Sequence, residues 1–426
     1  MKFKGTYIKT KSKNIFSLIF LMFIAYVFII NVFIPIYKYF NPPLTVREFT
    51  KEKALEDYDF LWEKLETRYP YFGVAERKLG IDVEDIKKIY RKKIEERNQI
   101  DIKVFYQIIN EALNEMNYIG HLMVFDANAF FRLKYVLDLE DEVVEDFNLT
   151  NQLQALEDER ALESYGYMKN GFPLHILQKI LFWNIGSNIR TSNVGEKTAF
   201  LEAFYPSVKN EKRESQYLLD YFNKLEKQGY RHLIIRCHAN DSGDSYWMNN
   251  IVAPNIDEVK TLHTKFFIKN DGWVKNYYQD LGVEVIEQID FERYPNLNLE
   301  DAQQFGGYIE SEISIQPLFK KKVFSGKIYL LIDSETFSSI EAFAQFAKGT
   351  GFATLVGHQT GGDGYNGGTP MMTALSHSGL VFFYRMGYGI NEDGSSNVEF
   401  GTSPDVVAGV SETPLQACLR WINEEN

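Results

Sequence analysis

Apolar positions along this chain fall into two rhythms, helical near its start and strand-like toward its end. After a stiff Asn41-Pro42-Pro43 spacer, Leu55, Tyr58, Leu61, Trp62, Leu65 and Tyr69 recur at three- and four-residue intervals, which predicts a helix ending before Pro70. Val83, Ile86, Ile89, Tyr90 and Ile94 predict a second helix. A third opens at Asp101, an N-cap residue type, and carries Ile102, Phe105, Ile109, Leu113 and Met116. It runs out at Asn117-Tyr118-Ile119-Gly120-His121 and hands over to the strand-like Leu122–Phe125. From Tyr230 onward short apolar runs (His232–Ile235, Lys327–Ile332, Ala353–Val356, Leu380–Tyr384) alternate with helical patterns, the rhythm of a layered α/β core. Between them no rhythm holds: an acidic stretch, Glu140–Asp146, reads as a solvated face, and Leu181-Phe182-Trp183 is aromatic. The pattern therefore divides the chain into a helical N-terminal domain (45–125), an irregular middle segment (126–227) and an α/β core (228–426).

The start of the chain has a different character. Residues 15–35, IFSLIFLMFIAYVFIINVFIP, carry no charge over 21 positions. As a helix they would span roughly 30 Å, the thickness of a bilayer core. Lys2, Lys4, Lys9, Lys11 and Lys13 precede them with no acid, so the reading is a cytoplasmic basic tail (1–14) and a single transmembrane anchor (15–36), with the body outside. A cleaved signal is the alternative, but the run is long for one and lacks a small-x-small cleavage site.

Charge and composition then narrow the function classes. The chain of 426 residues carries a net charge of −12, and its basic tail leaves −17 on the remainder. That balance argues against nucleic acid as a partner. Hydrophobic content of 45% and charged content of 24% are those of an ordinary globular protein. The two cysteines, Cys237 and Cys418, lack metal-type spacing and are read as buried thiols or as one long-range disulfide. With no Walker motif, no His-Glu-x-x-His and no cysteine cluster, neither metal nor nucleotide cofactor is expected.

The chemistry concentrates in Lys327–Gly364. A β-branched run ends in the polar turn Asp333-Ser334-Glu335-Thr336, a small-residue helix opens at Ser338-Ser339-Ile340-Glu341, and a second strand leads into Gly361-Gly362-Asp363-Gly364. A hydroxyl at a strand-to-helix turn sits beside N–H groups and a dipole that favour negative charge, as an acyl-transfer nucleophile requires. The same residues also read as a capping box, with Ser338 and Glu341 each satisfying a backbone N–H.

Three more segments bear on that choice. His121 stands where a helix hands over to a strand. An apolar strand from His232 ends in the turn Asn240-Asp241-Ser242-Gly243, a form that can offer N–H groups to an anion. Glu399 precedes Gly401 and the turn Ser403-Pro404-Asp405. By themselves His121 and Glu399 read as a satisfied turn histidine and a surface carboxylate.

Together and in this order, the segments resemble the serine proteases related to the tail-specific (C-terminal processing) proteases and the tricorn core protease. The resemblance runs from about residue 45 to about residue 410 and is carried by Arg68-Tyr69-Pro70-Tyr71-Phe72, Gly120-His121, Asn240-Asp241-Ser242-Gly243, Thr336-Phe337-Ser338-Ser339-Ile340-Glu341 with Thr360-Gly361-Gly362, and Glu399-Phe400-Gly401-Thr402-Ser403-Pro404-Asp405. It implies a crotonase/ClpP-like α/β core, Ser338 as nucleophile, and an oxyanion hole from the amide of Ser339 and those of Asp241 and Ser242. One subtype of that family uses a lysine 25 positions after the serine; here that position is Asp363, so a Ser/Lys dyad is excluded. The other subtype uses a histidine and a glutamate, which map to His121 as base and Glu399 as its orienting carboxylate. The family's usual glycines at 241 and 242 are absent here. His238, near that turn, is an alternative base or a substrate contact, and His358 and His377 read as structural.

The resemblance thus implies a membrane-anchored serine endopeptidase acting on peptides or proteins, without a cofactor. A rival is a catalytically silent peptide- or ligand-binding protein on the same scaffold, kept open by the altered 241–242 turn. A third reading is a structural ectodomain that recruits partners through its acidic face. Oligomeric state and substrate preference are not encoded in any recognisable way.

Overall fold

The computed structural model describes residues 44, 48–139, 154–167, 189–204, 211–238, 245–365 and 370–425. The expected basic tail and anchor, the acidic 140–146 stretch and the Asn240–Gly243 turn lie outside the described residues. Among the described residues no helix is long and apolar enough to cross a membrane.

The three N-terminal rhythms form helices α1 (Lys51–Arg68), α3 (Val83–Glu95) and α4 (Ile102–Asn114), with α2 (Phe72–Leu79) between the first two. Asp101 caps α4, its Oδ1 accepting the Val104 N–H at 2.7 Å. Two-residue strands β1 (Glu48–Phe49) and β2 (Ile100–Asp101) pair at its start. After α4 the chain makes β3 (Met123–Val124) and α5 (Ala127–Leu139).

The central sheet has six strands in the order β14-β10-β9-β6-β5-β4. These are β4 (Ile189–Gly195), β5 (Thr198–Ala203), β6 (His232–Cys237), β9 (Lys327–Ile332), β10 (Thr354–Gly357) and β14 (Val406–Val407). All neighbours run parallel except the β4–β5 hairpin. Strand periodicity decides what each face meets. Leu233, Ile235, Leu330 and Ile332 join Leu218 and Phe222 of α6 (Glu211–Lys227) and Phe343 and Phe346 of α8 (Ser339–Thr350). The alternate residues Ile234, Tyr329 and Leu331 face Ala417, Cys418 and Ile422 of α9 (Pro414–Glu425). Helices on both faces of a parallel sheet explain its near-continuous apolar strands.

One correction follows for the domain boundaries. β4, β5 and α6 fall within the segment read as irregular, yet β4 and β5 form one edge of the central sheet and α6 packs on its face. The core therefore begins near residue 189, and the boundary at 228 cuts through it. The N-terminal region is also stitched into the later chain. β3 pairs with β12 (Val381–Tyr384), which pairs with β11 (Met371–Ala374), and a third sheet joins β7 (Lys260–Lys269), β8 (Phe305–Ile315) and β13 (Gly387–Gly389). One apolar cluster runs from Trp62 and Phe105 through Phe267 and Phe382. A further helix, α7 (Gly272–Asp280), lies between β7 and β8. Both cysteines are free, which removes the disulfide alternative.

Candidate active site

Two loops and a helix start converge beside the β3–β12 pairing. The histidine turn is wound left-handed: Asn117, Tyr118, Gly120 and His121 all have positive φ. Glycine is required at 120, because a Cβ there would come within 2.5 Å of the Tyr71 ring and 2.9 Å of Tyr69. The turn is pinned by the Tyr69 hydroxyl donating to the Ile119 carbonyl at 2.7 Å and the Arg385 N–H donating to the Gly120 carbonyl at 2.9 Å.

The serine turn is equally constrained. Phe337 bridges Gly362 in parallel, the Ser338 N–H donates to the Gly362 carbonyl at 3.2 Å, and the Gly361 N–H donates to Thr336 at 2.9 Å. The loop after β10 is thus zipped to the start of α8, which brings Asp363 beside Ser338. Among the described residues six non-glycines have positive φ, and three of them are His121 (59°), Ser338 (58°) and Asp363 (65°). Such backbone costs about 1–3 kcal/mol per residue and persists where the surroundings over-determine it, as at functional sites.

The side chains form one line. Ser338 Oγ lies 2.9 Å from His121 Nε2, and His121 Nδ1 lies 2.5 Å from Asp363 Oδ2. Beyond it, Asp363 Oδ1 is 2.8 Å from Arg385 Nε. A carboxylate on Nδ1 selects the Nδ1–H tautomer, so Nε2 presents its lone pair to the hydroxyl. Asp363 is fully buried and His121 nearly so, while Ser338 is half-buried and reachable. Burial lowers the His121 pKa first; Asp363 pulls it back up, and Arg385 pushes it down. The Phe337 ring stacks on the imidazole with centroids 5.0 Å apart, and Tyr118 flanks both rings.

The capping-box reading of Ser338-x-x-Glu341 is not what forms. Ser338 makes no side-chain cap bond. Glu341 is fully buried, and its Oε1 accepts from Asn397 Nδ2 at 2.7 Å and Thr402 Oγ1 at 2.6 Å. Burial pushes its carboxyl up to about 7, against the pull of those donors. The folded state therefore holds the proton more tightly than the unfolded chain does. That contribution is fully present below the ordinary carboxyl value of 4.5 and is lost as pH rises through about 7. Glu341→Gln keeps an acceptor for both donors and has no proton to lose. Its stability relative to wild type is expected to rise by about 2–3 kcal/mol between pH 5 and pH 8 in thermal or urea unfolding. A gap equal at the two pH values would contradict the buried-carboxyl assignment.

Glu399, the residue expected to orient His121, is engaged elsewhere. Its two oxygens accept from Arg77 Nε at 3.1 Å and Nη2 at 2.7 Å, and the same guanidinium holds Asp301. The carboxylate on His121 Nδ1 belongs to Asp363, and the Glu399 assignment is corrected accordingly. In the linear sequence Asp363 marks only the absence of a lysine. Yet a position from which a lysine amine could reach the serine is also one from which a carboxylate can reach the serine's histidine.

Ser339 is the first residue of α8, where the macrodipole favours developing negative charge. Asp241 and Ser242 lie outside the described residues. His238 stacks on Phe204 at 4.2 Å, with Nε2 3.6 Å from Glu202, while the Ser338 hydroxyl faces His121. His377 pairs with Glu56 at 2.6 Å. Among the described residues no cluster of His, Cys, Asp and Glu could hold a metal ion.

Residues 201–408 match a family model described as peptidase family S41. Ser338, Asp363 and Arg385 fall within that stretch, and His121 precedes it. A comparison with curated proteins finds no match. Among solved structures, a candidate peptidase from Parabacteroides merdae ATCC 43184 superposes with a TM-score of 0.50 at 14% identity, over 87% of this chain and 96% of that one. Mature CPAF superposes with a TM-score of 0.50 at 14% identity, over 88% and 96%. At such identity the likeness bears on the fold alone.

Proposed function

With a peptidase family S41 domain over residues 201–408, this chain is a serine-type peptidase, and we propose that it cleaves peptide bonds through Ser338, His121 and Asp363 on a crotonase/ClpP-like core. The observation that carries the reading is the unbroken line from hydroxyl to imidazole to buried carboxylate, at 2.9 and 2.5 Å.

In this reading His121 Nε2 takes the Ser338 proton as Oγ attacks the carbonyl carbon, and the carbonyl π-pair moves onto oxygen. The Ser339 amide at the start of α8 is one donor to that oxyanion, with the amides of Asp241 and Ser242 as candidates for the second. When the oxyanion collapses, the C–N bond breaks and Nε2–H protonates the leaving amine. Water then repeats the sequence on the acyl ester, giving its proton to His121 and returning Ser338 to its hydroxyl form. Asp363 stays ionised throughout; it fixes the tautomer and stabilises the imidazolium.

A fluorophosphonate probe tests the assignment. Wild type is expected to label at Ser338, and Ser338→Ala is expected to show no label. A folded wild type that does not react would favour the rival, a binding protein on the same scaffold.

The proposed location is the outer face of a cytoplasmic membrane, supported by the uncharged 15–35 run and the five lysines before it. Carbonate extraction of membranes is expected to leave the full chain in the pellet, and release into the supernatant would remove the anchor.

A further inference from the structure

The line does not stop at Asp363. Arg385 lies between β12 and β13, is buried, and touches both the carboxylate and the turn that hold the histidine. Its Nε is 2.8 Å from Asp363 Oδ1, its Nη2 is 3.4 Å from the Asp363 carbonyl oxygen, and its backbone N–H donates to Gly120 at 2.9 Å. The same Nε is 3.4 Å from His121 Nδ1. Since Nδ1 carries its own hydrogen toward Asp363, that last contact is electrostatic, and the Nε hydrogen goes to the carboxylate.

We infer that Arg385 is a positioning residue of the site, one that fixes the carboxylate and the histidine turn together and cancels the carboxylate's charge while the enzyme is at rest. The inference rests on the reading of Ser338, His121 and Asp363 given above. A buried carboxylate alone beside an imidazole would draw a proton onto Nε2 and make a stable ion pair, so the base would be spent before substrate arrived. With Arg385 in place, Asp363 is already compensated. The imidazole can then remain neutral and still gain from Asp363 when the substrate oxyanion appears.

The groups facing His121 leave few other sources of charge. Asp363 reaches it from the loop after β10, Arg385 from the β12–β13 connection and Ser338 from the start of α8. Tyr118 on its own turn and Tyr69 and Tyr71 before α2 are phenols that burial keeps protonated, with the Asp363 charge acting the same way. Glu341 and Lys78 are coupled to Asp363 through space.

Arg385 pushes the His121 pKa down, so its loss raises that pKa, and a higher pH is needed to free the base. The experiment is an NMR titration of the His121 ring in full-length protein, assigned with His121→Ala, alongside the pH profile of kcat/KM. Wild type is expected to titrate below the ordinary value of about 6.5. In Arg385→Gln both the ring midpoint and the acid limb are expected to move up by about one pH unit, with kcat/KM falling by up to roughly tenfold at pH values well below the wild-type midpoint. Arg385→Lys is expected to keep the midpoint near wild type but lose kcat, because a single ammonium cannot hold the fork geometry. A folded Arg385→Gln with an unmoved ring midpoint overturns the inference, whatever its activity.

Should Arg385→Gln not fold, Asp363→Asn and Asp363→Asn/Arg385→Met decide. The double variant leaves neither buried charge unpaired, and its ring midpoint is expected above that of the single variant. Equal midpoints reject the inference. Because the ring is read without turnover, a wild type inert to the phosphonate probe removes the peptidase site and leaves the charge relation standing. Labelling with unmoved midpoints removes Arg385 alone.

Discussion

Asp363→Asn lowers kcat by about four orders of magnitude in the expected result, while Glu399→Gln keeps most of it. The carboxamide that replaces Asp363 can turn its N–H₂ toward His121 Nδ1, which then accepts rather than donates. Nε2 would carry the proton, and the Ser338 hydroxyl would face a donor instead of a base. The substitution also leaves Arg385 without its 2.8 Å partner, so a thermal unfolding trace must accompany the kinetics. Glu399→Gln touches neither atom of the line, since its oxygens meet Arg77. The measurement is kcat and KM on a peptide substrate for both variants. The reverse ranking, with Glu399→Gln the more damaged in kcat, would restore Glu399 to the triad and leave Asp363 a structural acid.

Arg77→Ala is expected to destabilise the fold by about 3–5 kcal/mol. Arg77 stands on α2 in the N-terminal region and holds two acids from distant parts of the chain. Asp301 accepts at 2.7 and 3.2 Å, and Glu399 at 2.7 and 3.1 Å. Asp301 is only 3% exposed and keeps the Tyr388 hydroxyl, at 2.7 Å, when the guanidinium is gone. An almost buried carboxylate left with one neutral donor accounts for most of the cost. Hydrogen bonds that Arg77 donates to Glu399 and Asp301 hold its pKa above the ordinary guanidinium range, despite partial burial. Urea unfolding measures the loss, and Arg77→Ala/Asp301→Asn should recover a good part of it. A loss under about 1 kcal/mol would class the contact with ordinary surface pairs. Glu399 therefore has a clear place in the molecule, as part of the staple that keeps the histidine-bearing region against the core.

The errors of the sequence reading have physical causes. Glu399 was assigned to His121 because its type and its place before a glycine suited the role, and no local pattern reveals Arg77, 322 positions earlier. The segment before residue 228 reads as irregular, yet it supplies β4 and β5 to the central sheet and α6 to its face. Strands buried on both faces lose the alternation that marks a strand in sequence. β5, TAFLEA, is a short apolar run of that kind.

The linear order of residues was enough for whatever depends on near neighbours. The helical spacing of Leu55 to Tyr69, the Asp101 cap, the β9 run from Lys327 to Ile332 and the hydroxyl at its strand-to-helix turn all rest on contacts within a few positions. Ser338 and His121 came forward as a pair only through the resemblance to the tail-specific and tricorn proteases. Which carboxylate completes the line, and that Arg385 stands behind it, depended on parallel strand pairing and on the Phe337–Gly362 bridge. Those contacts join residues up to 264 positions apart, and distances of that kind are set by how the layers pack, which no local pattern records.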